Sequence, residues 1–169
     1  MSETNSMELK TLHQSAIPAA LKRATHYRLL NEPGSAESIC LDVLRIEPDN
    51  QEALVTLVLA MTDRFAKGYA VGDTHVNEVL KKIAGDYERA YYSGIVSERR
   101  GKAMLAKDSP GARADAYEWF CEAMDLFEKA ESLKPAGNDD AILRWNTCAR
   151  IIKQNHLVAR AREPELLLE

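Results

Sequence analysis

Ala36-Glu-Ser-Ile39-Cys40-Leu-Asp-Val43-Leu-Arg-Ile46-Glu-Pro48 decides the fold, because its spacing returns in Ala123-Met-Asp-Leu126-Phe127-Glu-Lys-Ala130-Glu-Ser-Leu133-Lys-Pro135. Ala36, Cys40, Val43 and Pro48 stand at intervals of four, three and five, and Ala123, Phe127, Ala130 and Pro135 repeat those intervals. Ile39 matches Leu126 and Ile46 matches Leu133. An Asn follows each proline and opens a new run, Asn50-Gln-Glu-Ala-Leu54 and Asn138-Asp-Asp-Ala-Ile142. Steps of three and four place side chains on one helix face, a proline stops the helix, and Asn is a good cap for the next. A repeated helix–turn–helix is the simplest cause.

Working outward, Ile17, Ala20, Leu21, Ala24 and Tyr27 make one stripe of a first helix from about Ile17 to Leu30, with Pro18 in its first turn. Asn31-Glu-Pro-Gly34 ends it, and Ser35 is expected to cap the second helix. Asn50 caps a third helix running to about Phe65. Leu54, Val55, Leu57, Val58, Leu59 and Met61 make it apolar nearly all round, which predicts a central, buried helix. Lys67-Gly-Tyr-Ala-Val-Gly72 reads as a loop. Asp73 or Thr74 caps a fourth helix carrying Val76, Val79, Leu80 and Ile83 and ending at Gly85. A long fifth helix spans Asp86 to about Lys107, with Gly94 and Gly101 seven apart on one face. Each glycine costs up to about 1 kcal/mol in a helix interior, and close approach of a neighbouring helix, or a kink, is the reason expected for them. After Asp108-Ser-Pro-Gly111 come a sixth helix from Ala112 to Leu133 and a seventh from Asp139 to about Gln154. No segment alternates with period two, so the class is all-α, about seven helices packed antiparallel.

The 169 residues suffice for one sizeable core, and a net charge of -4 with a pI near 5.6 argues against nucleic acid and anionic membranes as partners. Met1-Ser-Glu-Thr-Asn-Ser6 carries an acid and no apolar core, unlike a signal peptide, and the apolar run from Ala53 to Met61 is far short of the roughly 20 residues that span a bilayer. A cytoplasmic protein is therefore expected. Cys40, Cys121 and Cys148 have no metal or redox spacing and read as small apolar packing residues.

The pattern resembles the tetratricopeptide repeat (TPR) family, a 34-residue helix pair with a small residue and a Tyr in its first helix and Ala, an aromatic, Ala and Pro in its second. Ala24, Tyr27, Ala36 and Pro48 match that pattern, while Cys40 replaces the aromatic and Ala20 and Arg23 depart from it. Leu54 and Leu57 match a second repeat that lacks its closing proline. Ala123, Phe127, Ala130 and Pro135 match a third, in which Gly94 takes the small position. The two prolines stand 87 residues apart, against about 68 for two periods, so about 19 surplus residues fall between Phe65 and Gly111. The resemblance implies a right-handed superhelix of antiparallel helix pairs over residues 15–155. A flexible arm at 1–14 precedes it and a tail at 156–169 follows, with a seventh helix as C-terminal cap.

The resemblance also implies a concave groove lined by the first helix of each pair. Its positions fall on Leu21, Thr25, Arg28 and Leu29, then on Val55, Leu59, Thr62 and Asp63. On the fifth helix they fall on Tyr91, Ile95, Glu98 and Arg99, and on the seventh on Leu143, Thr147 and Arg150. Val55 and Leu59 would expose apolar area there unless covered by an apolar ligand helix or extended peptide, by Met7, Leu9 and Leu12 of the arm, or by the oversized fifth and sixth helices.

Little else points to chemistry. His75 and Glu78 lie three apart on the fourth helix without an evident third ligand. Asp139-Asp140 suits a helix N-terminus, and Glu98-Arg99-Arg100 reads as a solvated turn of helix. No catalytic residue, metal or cofactor is expected. The expected role is a non-catalytic scaffold binding a peptide or helix of a partner protein. The alternative is an export or assembly chaperone of the small acidic TPR type, holding an apolar client segment.

Overall fold

The computed structural model describes residues 7–67, 73–107 and 109–161. Among these the chain forms seven α-helices and no strand: α1 (Ile17–Leu29), α2 (Pro33–Ile46), α3 (Gln51–Asp63), α4 (Asp73–Lys82), α5 (Asp86–Leu105), α6 (Ala112–Leu133) and α7 (Asp140–Gln154). Short 3-10 turns at Gln14–Ala16 and Phe65–Lys67 precede α1 and follow α3. The loop expected at Lys67–Gly72 falls, beyond Lys67, outside the described residues, as do 1–6 of the arm and 162–169 of the tail.

The helix ends follow local chemistry. Asn31, at φ +61°, lets the Glu32 N–H reach back to the Tyr27 carbonyl at 2.9 Å and so closes α1. The expected Ser35 cap is displaced: α2 already begins at Pro33, whose fixed φ and missing N–H suit a first turn, and Ser35 lies inside that turn. Asn50 caps α3 as expected, its side chain accepting from the Ala53 N–H at 2.9 Å. α4 stops at Lys82, short of the expected Gly85, which at φ +84° instead precedes α5.

Consecutive helices pack against one another, and α1, α3, α5 and α7 also touch in succession. α3 is buried along nearly its whole length, from Ala53 to Thr62, as its all-round apolar character predicts. One core cluster joins α1 to α4 around Leu54, Leu57 and Met61, and a second joins α5 to α7 around Phe120 and Phe127. α3 and α5 tie the two together, because Val96 of α5 lies in the first cluster and Leu59 of α3 packs on the second.

Both copies of the repeated spacing are buried: Ala36, Cys40, Val43, Ala123, Phe127 and Ala130 are all 0% exposed. Where Cys40 is small, Ala24 shares its cluster; where Phe127 is large, the facing residue is Gly94. A Cβ on Gly94 would lie 2.6 Å from the Phe127 ring, and one on Gly101 would lie 3.0 Å from Phe120. The two pairings run in opposite directions along the chain, seven residues apart on each helix, so α5 and α6 are antiparallel with a ring seated over each glycine. The 20 residues of α5, against 13 for α1, carry part of the expected surplus.

Candidate interaction face on the odd-numbered helices

The residues assigned to a groove fall into two groups. Leu21 and Ile95 are 3% and 2% exposed and belong to the core, so a partner does not reach them. Val55 is half-buried against the first cluster and Leu59 against the second, so the protein's own helices cover both. The arm is not the cover: Leu12 packs beside Ile17, Leu21, Val43 and Ala53, and Met7 and Leu9 are exposed. Thr25, Leu29 and Leu143 are exposed, as is Arg150, with Thr147 half-buried.

The remaining residues join in two ion-paired knots across helices. Asp63, at the end of α3, receives Arg28 of α1 through Nε at 2.8 Å and Nη2 at 3.3 Å. Arg99 of α5 binds the same carboxylate, the Leu59 carbonyl at 3.0 Å and the Thr62 hydroxyl. Arg99 thereby places a cation at the C-terminal end of α3, where the helix dipole favours it. Burial pulls its pKa down, and the facing Asp63 charge opposes that pull.

The second knot centres on Glu98, which is 0% exposed. Its Oε1 accepts from Lys102, one turn along α5, and from Arg144 of α7 at 3.3 Å. Its Oε2 is buried with no hydrogen-bond partner among the described residues. Burial acts to lower the Arg144 pKa, but the Tyr91 hydroxyl and the Glu98 charge outweigh it, and the net shift is upward. Tyr91 is itself fixed by its ring neighbours, Tyr92 at 5.2 Å, Tyr87 at 5.8 Å and Phe127 at 5.9 Å.

Glu98-Arg99-Arg100 is therefore not a solvated turn. Glu98 and Arg99 pair inward, and the Arg100 guanidinium lies over the rings of Phe65 and Trp119, at 4.5 and 5.3 Å. Arg144 was not among the expected residues. The signal for it was the pair Ala141 and Cys148, seven apart and both buried, which turns Arg144 onto the same seam.

His75 and Glu78 are both exposed on α4, and among the described residues no three His, Cys, Asp or Glu side chains group as a metal site. Burial pushes the Cys40 and Cys148 thiols up to about 12, while Cys121 is half-buried. Native protein at pH 8 is therefore expected to react with no more than one equivalent of Ellman's reagent, against three in denaturant. Fast reaction of two or more thiols in the native state would contradict that burial. Because the folded state holds these protons to higher pH than the unfolded chain, stability is expected to fall as pH rises from about 9 towards 12.

No helix among the described residues is long and apolar enough to cross a membrane. Comparison with protein-family models, with curated proteins and with solved structures gave no match.

Proposed function

We propose that this chain is a non-catalytic scaffold for protein–protein interaction, built as a right-handed superhelix of TPR-like helix pairs. In this reading it works in the cytoplasm and takes a peptide or helix of a partner protein along the face of α1, α3, α5 and α7. The observation that carries the reading is the succession of contacts α1–α3, α3–α5 and α5–α7, which is the inner row such a superhelix needs. The titratable groups on that row support a binding role over a catalytic one, because they pair with each other across helices. The two knots make its floor rigid, which lowers the entropic cost of receiving a partner. The surface left for contact lies at the row's two ends, at Thr25 and Leu29 on α1 and at Thr147 and Arg150 on α7, with Leu29 81% exposed.

The test is affinity purification from the source cells with wild type and with Leu29→Asp/Arg150→Glu, both exposed positions whose change should leave the fold intact. A specific partner recovered by wild type and lost with the variant, at unchanged helical circular dichroism, is the expected result. Equal recovery by both would remove the inner row as the binding face.

A further inference from the structure

A second surface lies on the opposite set of helices and does not depend on the reading of the inner row. α2 and α4 flank α3 and leave between them a groove of about 240 Å³. Its floor is apolar, made by Leu44, Leu54, Leu57 and Val79, and Leu41 stands on its lip at 43% exposure. Its rim carries two cations, Arg45 of α2 on one side and Lys82 of α4 on the other, with His75 also on the α4 side and no Asp or Glu in the lining. Among the described residues neither Arg45 nor Lys82 makes an ion pair, whereas Arg28, Arg99 and Arg144 of the inner row are paired with Asp63 and Glu98. In a chain of net charge -4, a groove whose charged lining residues are the cations Arg45 and Lys82 is a local reversal of sign.

We propose that this groove docks an acidic segment of a partner protein, one that presents leucine-type side chains between carboxylates. Charge complementarity selects the carboxylates, which meet Arg45 and Lys82, and the floor selects the apolar side chains. The groove runs from Leu41 of α2 to Pro48, just past the end of that helix, and from His75 to Lys82 on α4. Seven residues of rise, about 10 Å, is the length of two helical turns, which suits a short amphipathic helix laid between α2 and α4.

The probe is a fluorescein-labelled peptide, Glu-Glu-Leu-Leu-Glu-Glu-Leu-Leu-Glu-Glu, titrated with the full chain and followed by fluorescence polarisation. Saturable binding is expected, weakened about tenfold or more by Arg45→Glu/Lys82→Glu and by Leu41→Asp, and unchanged by Arg150→Glu on the inner row. It should weaken as salt rises from about 50 to about 500 mM. All these positions are exposed, and a thermal melt of each variant establishes that it still folds. Absence of saturable binding up to about 1 mM protein would overturn the proposal, as would equal binding by the groove variants or loss with Arg150→Glu alone. Residues 163–169 carry glutamates and leucines of the same kind. If a chain ending at Ala161 bound the probe markedly more tightly, the occupant would be this chain's own tail, and the assignment to a partner would fall.

Discussion

Phe127→Ala is expected to lower the stability of the fold by about 3–5 kcal/mol, the usual cost of emptying a fully buried aromatic site. Phe127 is 0% exposed, is one of the two largest side chains of the second core cluster and seats its ring over Gly94. The glycine makes the prediction sharper. Gly94→Ala in the wild type adds a Cβ 2.6 Å from a ring that has nowhere to go, and overpacking of that kind costs about 1–3 kcal/mol. The better helix propensity of Ala returns only about 1 kcal/mol of this. In the Phe127→Ala background the obstruction is gone, so Gly94→Ala should stabilise there. Gly34→Ala, in the first turn of α2 with nothing within 4 Å of the new Cβ, should be neutral or mildly stabilising in either background. Urea unfolding of the wild type, the Phe127→Ala and Gly94→Ala single variants and their double variant closes the cycle. A Gly94→Ala effect of the same sign in both backgrounds would mean that the helices do not meet through these two residues.

Asp63→Ala is expected to cost about 2–3 kcal/mol. Breaking a fully buried ion pair costs about 3–5 kcal/mol, and the value is discounted here because these side chains keep 19–23% of their exposure. What remains is two guanidiniums, Arg28 and Arg99, held against the end of α3 with no carboxylate between them. Arg99→Met in the same chain should recover part of the loss, since it removes one of the stranded charges. Added salt should also narrow the gap to wild type by screening the two cations. A loss below about 0.5 kcal/mol that is insensitive to salt would show the knot to be an exposed pairing of little consequence.

What the sequence reveals and what it hides follow from how far each cause reaches. The ends of α6 at Ala112 and Leu133 are written locally, in Gly111 before the helix and Pro135 after it, and its position matches the periodic reading. The face shared by Gly94 and Gly101 is likewise legible from their spacing. Which rings fill it is not, because Phe127 and Phe120 approach from another helix. Ser35 misled for a local reason: two good starts compete, and Pro33 comes first.

The charged residues misled for a non-local one. Glu98 and Arg99 look like surface residues because their partners, Arg144 and Asp63, lie 46 and 36 positions away. Leu21 and Ile95 sit at groove positions by pattern, yet the packing of α1 and α5 against their neighbours buries them. The rotation of α7, set by Ala141 and Cys148, brings forward Arg144. Pattern alone thus locates the helices, but the sides those helices turn to one another are decided by packing.

The central claim is that a partner lies along the odd-numbered helices, and amide hydrogen exchange of the purified complex tests it most directly. Binding is predicted to slow exchange in residues 25–31 and 143–150, at the two ends of the row. Slowing confined to α2, α4 and α6, with those two segments exchanging as in the free chain, would contradict it.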